Sequence, residues 1–314
     1  MLLTDVFSAE AVASVRTSDV SNSMAYAGLA FFPNKKKTGI DLKWIKTHKG
    51  LGVALKPSAF DGMATIRARK GFKVTNEEMP LFRESMVVKE QDLAEITRAQ
   101  ESNDPYLNEV LSHIYDDTNE LIDGADIAAE RMRMQLLAPV GGDMKIVIGT
   151  ADNVAYSYSY DPNGDWKAKH YASLEGTSTW DKADTSKPLN DIQKGINYLT
   201  DIGVSPMYAM MTSKTFNYLI ENSQIKNAII TISGRTIDFV SKQVVKEVFQ
   251  SQTGLIPILY DKKFEDYDGK DKSFYTDDYV TIIGEGQLGN TWYGVTPEER
   301  TLLGDPSVDV SVLD

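Results

Sequence analysis

The alternation of hydrophobic and polar residues predicts β-structure in the first quarter of the chain. Between residues 39 and 75, apolar and charged side chains alternate with a period of two, as in Ile40–Lys46. This period predicts strands over 39–56 and 62–75. The cluster Pro57–Gly62 between them is rich in turn-forming residues. We therefore expect a long two-stranded hairpin, which has little core of its own and needs another surface to rest on.

The strongest helical pattern follows this hairpin. Asn103–Pro105 supplies an N-cap candidate and a proline suited to the first helical position. Apolar residues then recur on one face until Pro139 and the glycines at 141 and 142 end the pattern, which predicts a helix over 104–138. At about 1.5 Å per residue this helix is roughly 50 Å long. Such a length exceeds what a compact domain needs and indicates a spine.

The rest of the chain predicts β-structure and then a mixed domain. Residues 145–173 favour strands, and residues 186–275 alternate between helices and short strands, which predicts a compact α/β domain. The expected helices contain Ile192, Ile196 and Leu199; Phe216, Leu219 and Ile220 after a cap at Ser213; and Val244, Val248 and Phe249 before Gly254. The expected strands are Met207–Met211, Leu255–Tyr260 and, after a charged loop over 261–272, Tyr279–Ile283.

The average composition hides a strong charge asymmetry. The chain has 33 basic and 45 acidic residues, a net charge of -12, and an acidic protein is a poor candidate for nucleic-acid binding. The segment 31–73, however, contains 11 basic and 2 acidic residues, a net charge of +9. The next segment, 74–137, contains 5 basic and 15 acidic residues, a net charge of −10. A basic segment therefore adjoins an acidic segment of nearly equal and opposite charge.

Three interpretations of the basic segment remain open. A nucleic-acid patch is one, although its lysines are scattered through a strand pattern rather than gathered on a helix face. The second is a solvated hairpin whose lysines discourage edge-to-edge pairing of strands. The third is a basic β-arm that lies on the acidic surface of another copy of the chain, where complementary charges fix register and partner.

The candidate chemistry of the chain does not point to catalysis. The absence of cysteine excludes disulfides, zinc–thiolate sites and thiol nucleophiles. His48, His113 and His170 have no paired-ligand spacing, and there is no P-loop or nucleophile elbow. Gly284–Gly289 fits G-x-G-x-x-G, but the 25 residues after it do not continue as a dinucleotide-binding unit. We therefore predict that the protein is not an enzyme and uses no cofactor or metal.

Three stretches of sequence, taken with the order of the elements, resemble a known family. They are Met79–Leu93, Trp180–Asp184 followed by Pro188–Ile192, and Gly286–Glu298. Around them, a polar arm, a basic hairpin, an acidic spine, a β-region, an α/β insertion and a returning strand succeed one another over nearly the full length. The chain thereby resembles the tailed-phage major capsid proteins of the Hong Kong 97-like fold, and more narrowly the phage lambda capsid protein E family.

The resemblance implies an α+β architecture with four parts. Residues 1–30 are expected to form an N-terminal arm, and residues 31–80 the extended loop, or E-loop. The peripheral (P) domain would comprise residues 81–185 and 276–314, with its spine helix over 104–138. Residues 186–275 would form the axial (A) domain, which in this family meets its copies at the centres of hexamers and pentamers.

The resemblance also implies the function of a major capsid (head) protein of a tailed double-stranded DNA bacteriophage, which self-assembles into an icosahedral shell. The implied partners are other copies of the chain, a scaffolding protein, a portal and a decoration protein, while double-stranded DNA is enclosed without sequence-specific binding. The implied location is the virion, after assembly in the host bacterial cytoplasm. Asp5 and Glu10 argue against a secretory signal, and no run of 18 apolar residues predicts a membrane span.

Two other classes of protein remain open at this point. One is another polymerising phage structural protein of the tail or decoration type, which would not call for a long spine helix. The other is an acidic cytoplasmic enzyme that uses the domain over 186–275, which would require a deep pocket with converging polar groups.

The opposite charges of the two segments predict where one copy contacts the next. Exposed ion pairs contribute only about 0–1 kcal/mol each, which suits contacts that must correct errors and hold collectively. The predicted basic contact residues are Lys35, Lys36, Lys37, Lys43, Lys46, Lys49, Arg67, Arg69, Lys70 and Lys73. Their acidic partners are predicted among Glu77, Glu78, Glu84, Glu109, Asp116, Asp117, Glu120 and Asp123.

Overall fold

The computed structural model describes two compact units. The described residues are 26–37, 41–46, 73–80, 82, 107–149, 155–233, 240–266 and 269–296, and for 41–46, 73–78, 107–119 and 155 the description concerns the backbone. The first unit comprises Met1–Ile40, Met79–Arg131 and Gly289–Asp314. The second comprises Asp41–Glu78 and Met132–Leu288.

The described residues mix helices with strands, as the sequence predicts. The helices are α1 (Ala27–Phe31), α2 (Leu107–Leu137), α3 (Asp165–His170), α4 (Pro188–Asp201), α5 (Ser213–Glu221), α6 (Ser223–Ser233) and α7 (Lys242–Thr253). The strands are β1 (Asn34–Lys37), β2 (Asp41–Lys46), β3 (Lys73–Glu78), β4 (Lys145–Gly149), β5 (Ala155–Ser159), β6 (Pro206–Met211), β7 (Ile256–Leu259), β8 (Lys263–Glu265), β9 (Asp271–Ser273), β10 (Thr281–Gly284) and β11 (Thr291–Gly294).

A three-stranded mixed sheet organises the second unit. Its strand order is β10-β6-β7, with β6 antiparallel to β10 and parallel to β7. The central strand is the most buried, since Ala209, Met210 and Met211 are inaccessible to solvent. β7 contains Pro257, which cannot donate to a ladder and is tolerated because β7 lies at the edge of the sheet. The returning strand predicted over 279–283 thus joins the same sheet as β6.

The hydrophobic core of the second unit lies between this sheet and α4 to α7. The members of the cluster are apolar side chains from these helices and from the strands and loops they pack against. They are Ile192, Ala209, Met211, Phe216, Leu219, Ile225, Ile229, Val240, Val245, Val248, Phe249 and Leu255. Every one of them falls within residues 186–275, where the alternating pattern predicts an α/β core.

Local details of this region differ from the sequence prediction. The cap of α5 is Thr212, whose hydroxyl accepts a hydrogen bond from the Thr215 amide, and Ser213 is the first helical residue. Along α7, Val248 and Phe249 are buried as predicted, but Val244 is exposed and Val245 is buried in its place. The charged stretch over 261–272 is not only a loop, because it includes β8 and the first two residues of β9, its antiparallel partner.

The long helix is confirmed as α2, which spans 31 residues and ends at Leu137, shortly before Pro139. Its buried face near the C-terminal end is not purely apolar. Glu130 and Arg133 are buried together with Ala129, Met134 and Leu137. Two charged residues therefore occupy interior positions that an apolar pattern does not reveal.

The β-region after the spine is confirmed for its first half. β4 and β5 form an antiparallel pair in which Ile146 lies opposite Tyr158 and Ile148 opposite Tyr156. The prediction of β-structure up to residue 173 is wrong for 165–170, which form α3. The Asp161 carboxylate accepts hydrogen bonds from the amides of Trp166 and Lys167, and this interaction with the first turn stabilises a helix.

The predicted hairpin is present where the structure describes it. β2 and β3 are antiparallel, with Asp41 opposite Glu78 and Lys46 opposite Lys73. Ten residues separate Lys46 from Pro57, and ten separate Gly62 from Lys73. The register of the pair is therefore symmetric about the predicted turn Pro57–Gly62, which itself lies outside the described residues.

Candidate functional site

The first three predicted contact lysines lie on a strand of the first unit. β1 pairs in parallel with β11, with Lys35 opposite Trp292, Lys36 opposite Tyr293 and Lys37 opposite Gly294. The ammonium group of Lys35 lies 5.8 Å from the centre of the Trp292 ring, which is a cation–π contact. Lys35 therefore has a role within its own subunit as well as an exposed position.

The stretch Gly286–Glu298 holds the segment before β1 through its residues 289 and 291. The Gly289 amide donates to the carbonyl oxygen of Phe31 at 3.3 Å, and the Thr291 amide donates to that of Pro33 at 3.0 Å. The Thr291 hydroxyl donates to the carbonyl oxygen of Phe32 at 2.9 Å. A Cβ atom at position 289 would lie 3.0 Å from the Phe32 ring, so glycine permits the close approach.

On the acidic side of the predicted contact, the structure describes the side chains of α2 from residue 120 onwards. Glu120 and Asp123 are exposed, as a contact with another chain requires. Burial raises the pKa of Tyr26, and the negative charges of Asp123, Asp126 and Glu130 raise it further. Glu130 is fully buried, and its Oε1 accepts a hydrogen bond from the Gly28 amide at 2.9 Å. This carboxylate therefore stabilises the first turn of α1 inside the unit, whereas Asp123 faces solvent.

The hairpin places like charges opposite one another at both of its described ends. Lys46 and Lys73 occupy one register position, and Asp41 and Glu78 occupy another, with Glu77 opposite Leu42. Like charges at directly opposed positions of an antiparallel pair destabilise it. By its register, the pair therefore has basic residues at the end towards the predicted turn and acidic residues at the base.

The remaining predicted contact residues are only partly located. Lys43 is on β2 opposite Asn76. Three acidic candidates lie on α2, namely Glu109, Asp116 and Asp117. The predicted residues outside the described part of the chain are Lys49, Arg67, Arg69, Lys70 and Glu84. The pairing of basic with acidic residues between copies stays a prediction.

The stretches Trp180–Asp184 and Pro188–Ile192 have a structural role. Asn222, which is fully buried at the end of α5, donates to the carbonyl oxygen of Ala183 and to the Ser186 hydroxyl, at 3.1 and 2.9 Å. The indole of Trp180 donates to Asp191 at 3.4 Å. These bonds join the loop before α4 to the helices of the core. Sequence reasoning selected the stretches by resemblance and did not predict this role.

Two polar contacts hold the C-terminal end of α2 within the second unit. The Gln135 side chain accepts from the Val147 amide at 2.7 Å and donates to the Val147 carbonyl oxygen at 3.1 Å. The Thr281 hydroxyl donates to the carbonyl oxygen of Leu137 at 2.5 Å and lies 2.7 Å from the hydroxyl of Tyr275. Sequence reasoning missed these residues because a single Gln or Thr carries no periodic signal.

The described residues show no feature of a metal centre or a membrane span. No group of three or more metal-ligating side chains occurs among them. No helix in this part of the chain combines the length and the apolarity that crossing a membrane requires. Gly284–Gly289 leads from β10 towards β11, and residues 291–294 form a strand rather than a helix.

Comparison with known proteins identifies the family. Residues 26–306 match the family of phage major capsid protein E. Because this match covers most of the chain, the chain belongs to that family and is a phage major capsid protein, which confirms the resemblance to the capsid protein E family. This is a structural family and not a class of enzymes. No protein of curated function matches the chain.

Two solved structures are similar to the chain. One, assigned as the capsid protein of a prophage of Escherichia coli CFT073, shares 15% identity at a TM-score of 0.40, over 72% of this chain and 60% of that one. The other, a phage-related protein from Bordetella bronchiseptica RB50, shares 11% identity at a TM-score of 0.33, over 52% of this chain and 44% of that one. The chain thus spans about half the length of these relatives, and its assignment rests on the family match.

Proposed function

We propose that the chain is the shell-forming subunit of a tailed-phage head and has the Hong Kong 97-like architecture. In this proposal, residues 1–30 are the N-terminal arm and residues 31–80 the E-loop. Residues 81–185 and 276–314 are the P domain, with the spine helix over 104–138, and residues 186–275 are the A domain. The antiparallel pair β2–β3, the 31-residue helix α2 and the α/β core each lie within one of these parts, in the E-loop, the P domain and the A domain respectively.

The observation that carries the proposed assembly is the register of the hairpin. Lys46 lies opposite Lys73, so two positively charged residues occupy opposed positions at the end of the β2–β3 pair nearest the predicted turn. An isolated hairpin is marginally stable in water, and this pair weakens it further. An acidic surface on a neighbouring copy removes the repulsion, and the exposed Glu120 and Asp123 of α2 are suitable acceptors. The hairpin is thus stabilised by the contact that joins the subunits.

The proposed partners follow from this role. Copies of the chain form hexamers and pentamers of an icosahedral shell, assembled in the host bacterial cytoplasm with a scaffolding protein and a portal, and a decoration protein can bind afterwards. Double-stranded DNA is enclosed without sequence-specific contacts. The net charge of -12 supports this part of the proposal, because an acidic wall does not adsorb the genome during packaging.

Assembly of purified protein tests the proposed function. The protein is mixed with a scaffolding protein and viewed by electron microscopy. We expect closed shells of uniform size. If the wild-type chain sediments only as monomers or small oligomers under all assembly conditions, the proposed function is wrong.

Charge reversal tests the contact itself. The double variant Lys46→Glu, Lys73→Glu should reduce shell yield at least tenfold and leave the thermal unfolding of the soluble protein unchanged. The control variant Lys169→Glu, Lys242→Glu makes the same change in net charge at two exposed lysines outside the hairpin and should assemble normally. Adding Glu120→Lys and Asp123→Lys to the first variant should restore part of the yield. Normal shells from the first variant would exclude the hairpin lysines as an essential contact.

A further inference from the structure

The alternation of hydrogen-bonded and non-hydrogen-bonded residue pairs along β4 and β5 determines which backbone groups point away from the partner strand. The Tyr160 amide donates to the carbonyl oxygen of Met144 at 2.9 Å, so residues 144 and 160 form a hydrogen-bonded pair. Hydrogen-bonded and non-bonded pairs alternate along an antiparallel ladder. Val147 and Ser157 therefore form a non-bonded pair, and their amides and carbonyls point away from each other.

The two outer edges of the β4–β5 pair differ in their hydrogen bonding. On the β4 side, the Gln135 side chain bonds both the amide and the carbonyl group of Val147. On the β5 side, the outward-facing residues are Ala155, Ser157 and Ser159. Within the described part of the chain, no residue hydrogen-bonds to the backbone of Ser157. The hairpin is therefore fixed along one edge and presents a strand edge along the other.

This edge lacks the features that prevent strands from pairing between molecules. Proteins protect exposed edges with charged residues, proline or bulges. Residues 154–160 contain neither a charge nor a proline, and the β4–β5 register has no bulge. Tyr156 is 42% exposed although Ile148, opposite it on the same face, is buried. An open edge beside an uncovered aromatic ring has the form of a strand-addition site.

We propose that β5 pairs antiparallel with β5 of a second copy, about a twofold axis at Ser157. The register about this axis places Ser157 opposite Ser157, Ala155 opposite Ser159, and Tyr156 opposite Tyr158. All three outward-facing residues then form hydrogen-bonded pairs. The exposed Tyr156 ring of each copy is covered by Tyr158 of the other copy. The occupant is β5 of a second copy because this uncharged edge is self-complementary about Ser157 and meets itself without repulsion. This contact rests on the proposed shell and adds a second type of subunit contact to it.

The absence of cysteine from the chain allows a direct test by disulfide formation. Hydrogen-bonded partners in an antiparallel pair have Cα atoms about 5.5 Å apart, within the disulfide range of roughly 4.4–6.8 Å. Ser157→Cys should therefore form a covalent dimer with itself on oxidation. Two copies of residue 155, or of residue 159, would be about 14 Å apart along the strands. Ala155→Cys and Ser159→Cys should each remain uncrosslinked alone and form a dimer when mixed.

Each variant is assembled, oxidised and analysed on a non-reducing gel. Dimers from Ser157→Cys and from the 155 and 159 mixture, with monomers from the latter variants alone, support the twofold pairing. Shells without these dimers, or equal dimer yields from all single variants, overturn the pairing and leave the proposed function intact. If no shells form, the proposed function fails, and the same oxidation of the soluble protein decides the pairing by the same pattern.

Discussion

Thr281 donates its hydroxyl proton to the carbonyl oxygen of Leu137, the last residue of the spine helix, at 2.5 Å. Helix C-termini leave carbonyl groups without intrahelical partners, and this bond satisfies one of them. The Tyr275 hydroxyl lies 2.7 Å from the Thr281 hydroxyl and donates to the carbonyl oxygen of Met210 at 3.0 Å. Burial raises the pKa of Tyr275, so its hydroxyl keeps its proton. A pair of hydroxyls thus connects the end of α2 to the central strand β6.

Removal of either hydroxyl should destabilise the second unit. We expect Thr281→Val and Tyr275→Phe each to lower the free energy of unfolding by about 1–3 kcal/mol, because a buried carbonyl loses its donor. Urea denaturation followed by tryptophan fluorescence measures the change. Tyr156→Phe, which alters an exposed hydroxyl, is the matched control and should unfold like the wild-type protein. Equal midpoints for all four proteins would contradict this role.

Loss of the Gln135 side chain should loosen the β4–β5 hairpin locally. Gln135→Leu keeps a similar volume but leaves the Val147 amide and carbonyl without their partner. We expect the Val147 amide to exchange with solvent deuterium at least tenfold faster, because its exchange no longer requires breaking that bond. The control is Gln193→Leu, which removes an exposed side-chain contact with Asn197 and should leave Val147 unchanged. Unchanged protection at Val147 in Gln135→Leu would show that the contact is weak.

Acidification should destabilise the packing of α3. The His170 ring stacks on Trp166 at 5.4 Å and meets the edge of Tyr198 at 5.3 Å. Partial desolvation by the neighbouring rings lowers the pKa of His170 below its ordinary value of 6.5, and the positive charge of Lys169 lowers it further, against the opposite effect of Asp161. The unfolded chain therefore binds the proton more readily, so the contribution to stability is present above pH 6.5 and decreases as the pH falls below it.

The variant His170→Phe separates this titration from the other ionisable groups. It retains an aromatic ring between Trp166 and Tyr198 but cannot be protonated. We expect the decrease in melting temperature between pH 7.5 and pH 5 to be smaller in the variant than in the wild-type protein. An identical decrease in both would assign the acid sensitivity to other residues.

A methyl group at position 289 should disturb the contact between the two ends of the first unit. Gly289→Ala places a Cβ atom 3.0 Å from the Phe32 ring, which must move by a few tenths of an ångström. We expect faster cleavage by protease near residues 31–37 and a loss of about 1 kcal/mol in stability. Gly149→Ala, whose Cβ would meet no atom within 4 Å, is the control. Equal protease sensitivity of the two variants would show that the close approach is dispensable.

The sequence was most informative where one physical pattern extends over many residues. The period of α2 and the alternation in β2 and β3 predicted these elements, because burial on one face imposes a repeat along the whole element. The family assignment from the order of elements is also confirmed. The short helix α3 was missed because its six residues span less than two turns and none of them is buried, so no apolar repeat develops.

The candidate site was harder to predict because its contacts join residues distant in the chain. Nothing in the basic run of Lys35–Lys37 indicates that it pairs with Thr291–Gly294 instead of continuing the hairpin. Parallel pairing between distant segments depends on the assembled fold and leaves no local signal. The same holds for Glu130, which the sequence places in an acidic segment but which is buried and accepts a hydrogen bond from the Gly28 amide. Net charge along a segment therefore overstated the number of residues available for contacts between copies.

The pairing of β1 with β11 also has a consequence for the timing of synthesis. The Thr291 hydroxyl and the Phe32 carbonyl are separated by 259 positions in the chain. The ribosome synthesises the chain from the N-terminus, so β1 cannot pair until nearly the entire chain, including β11, has been synthesised. During that interval the subunit lacks a finished first unit. The β1–β11 pair therefore forms only after residue 294 has been synthesised.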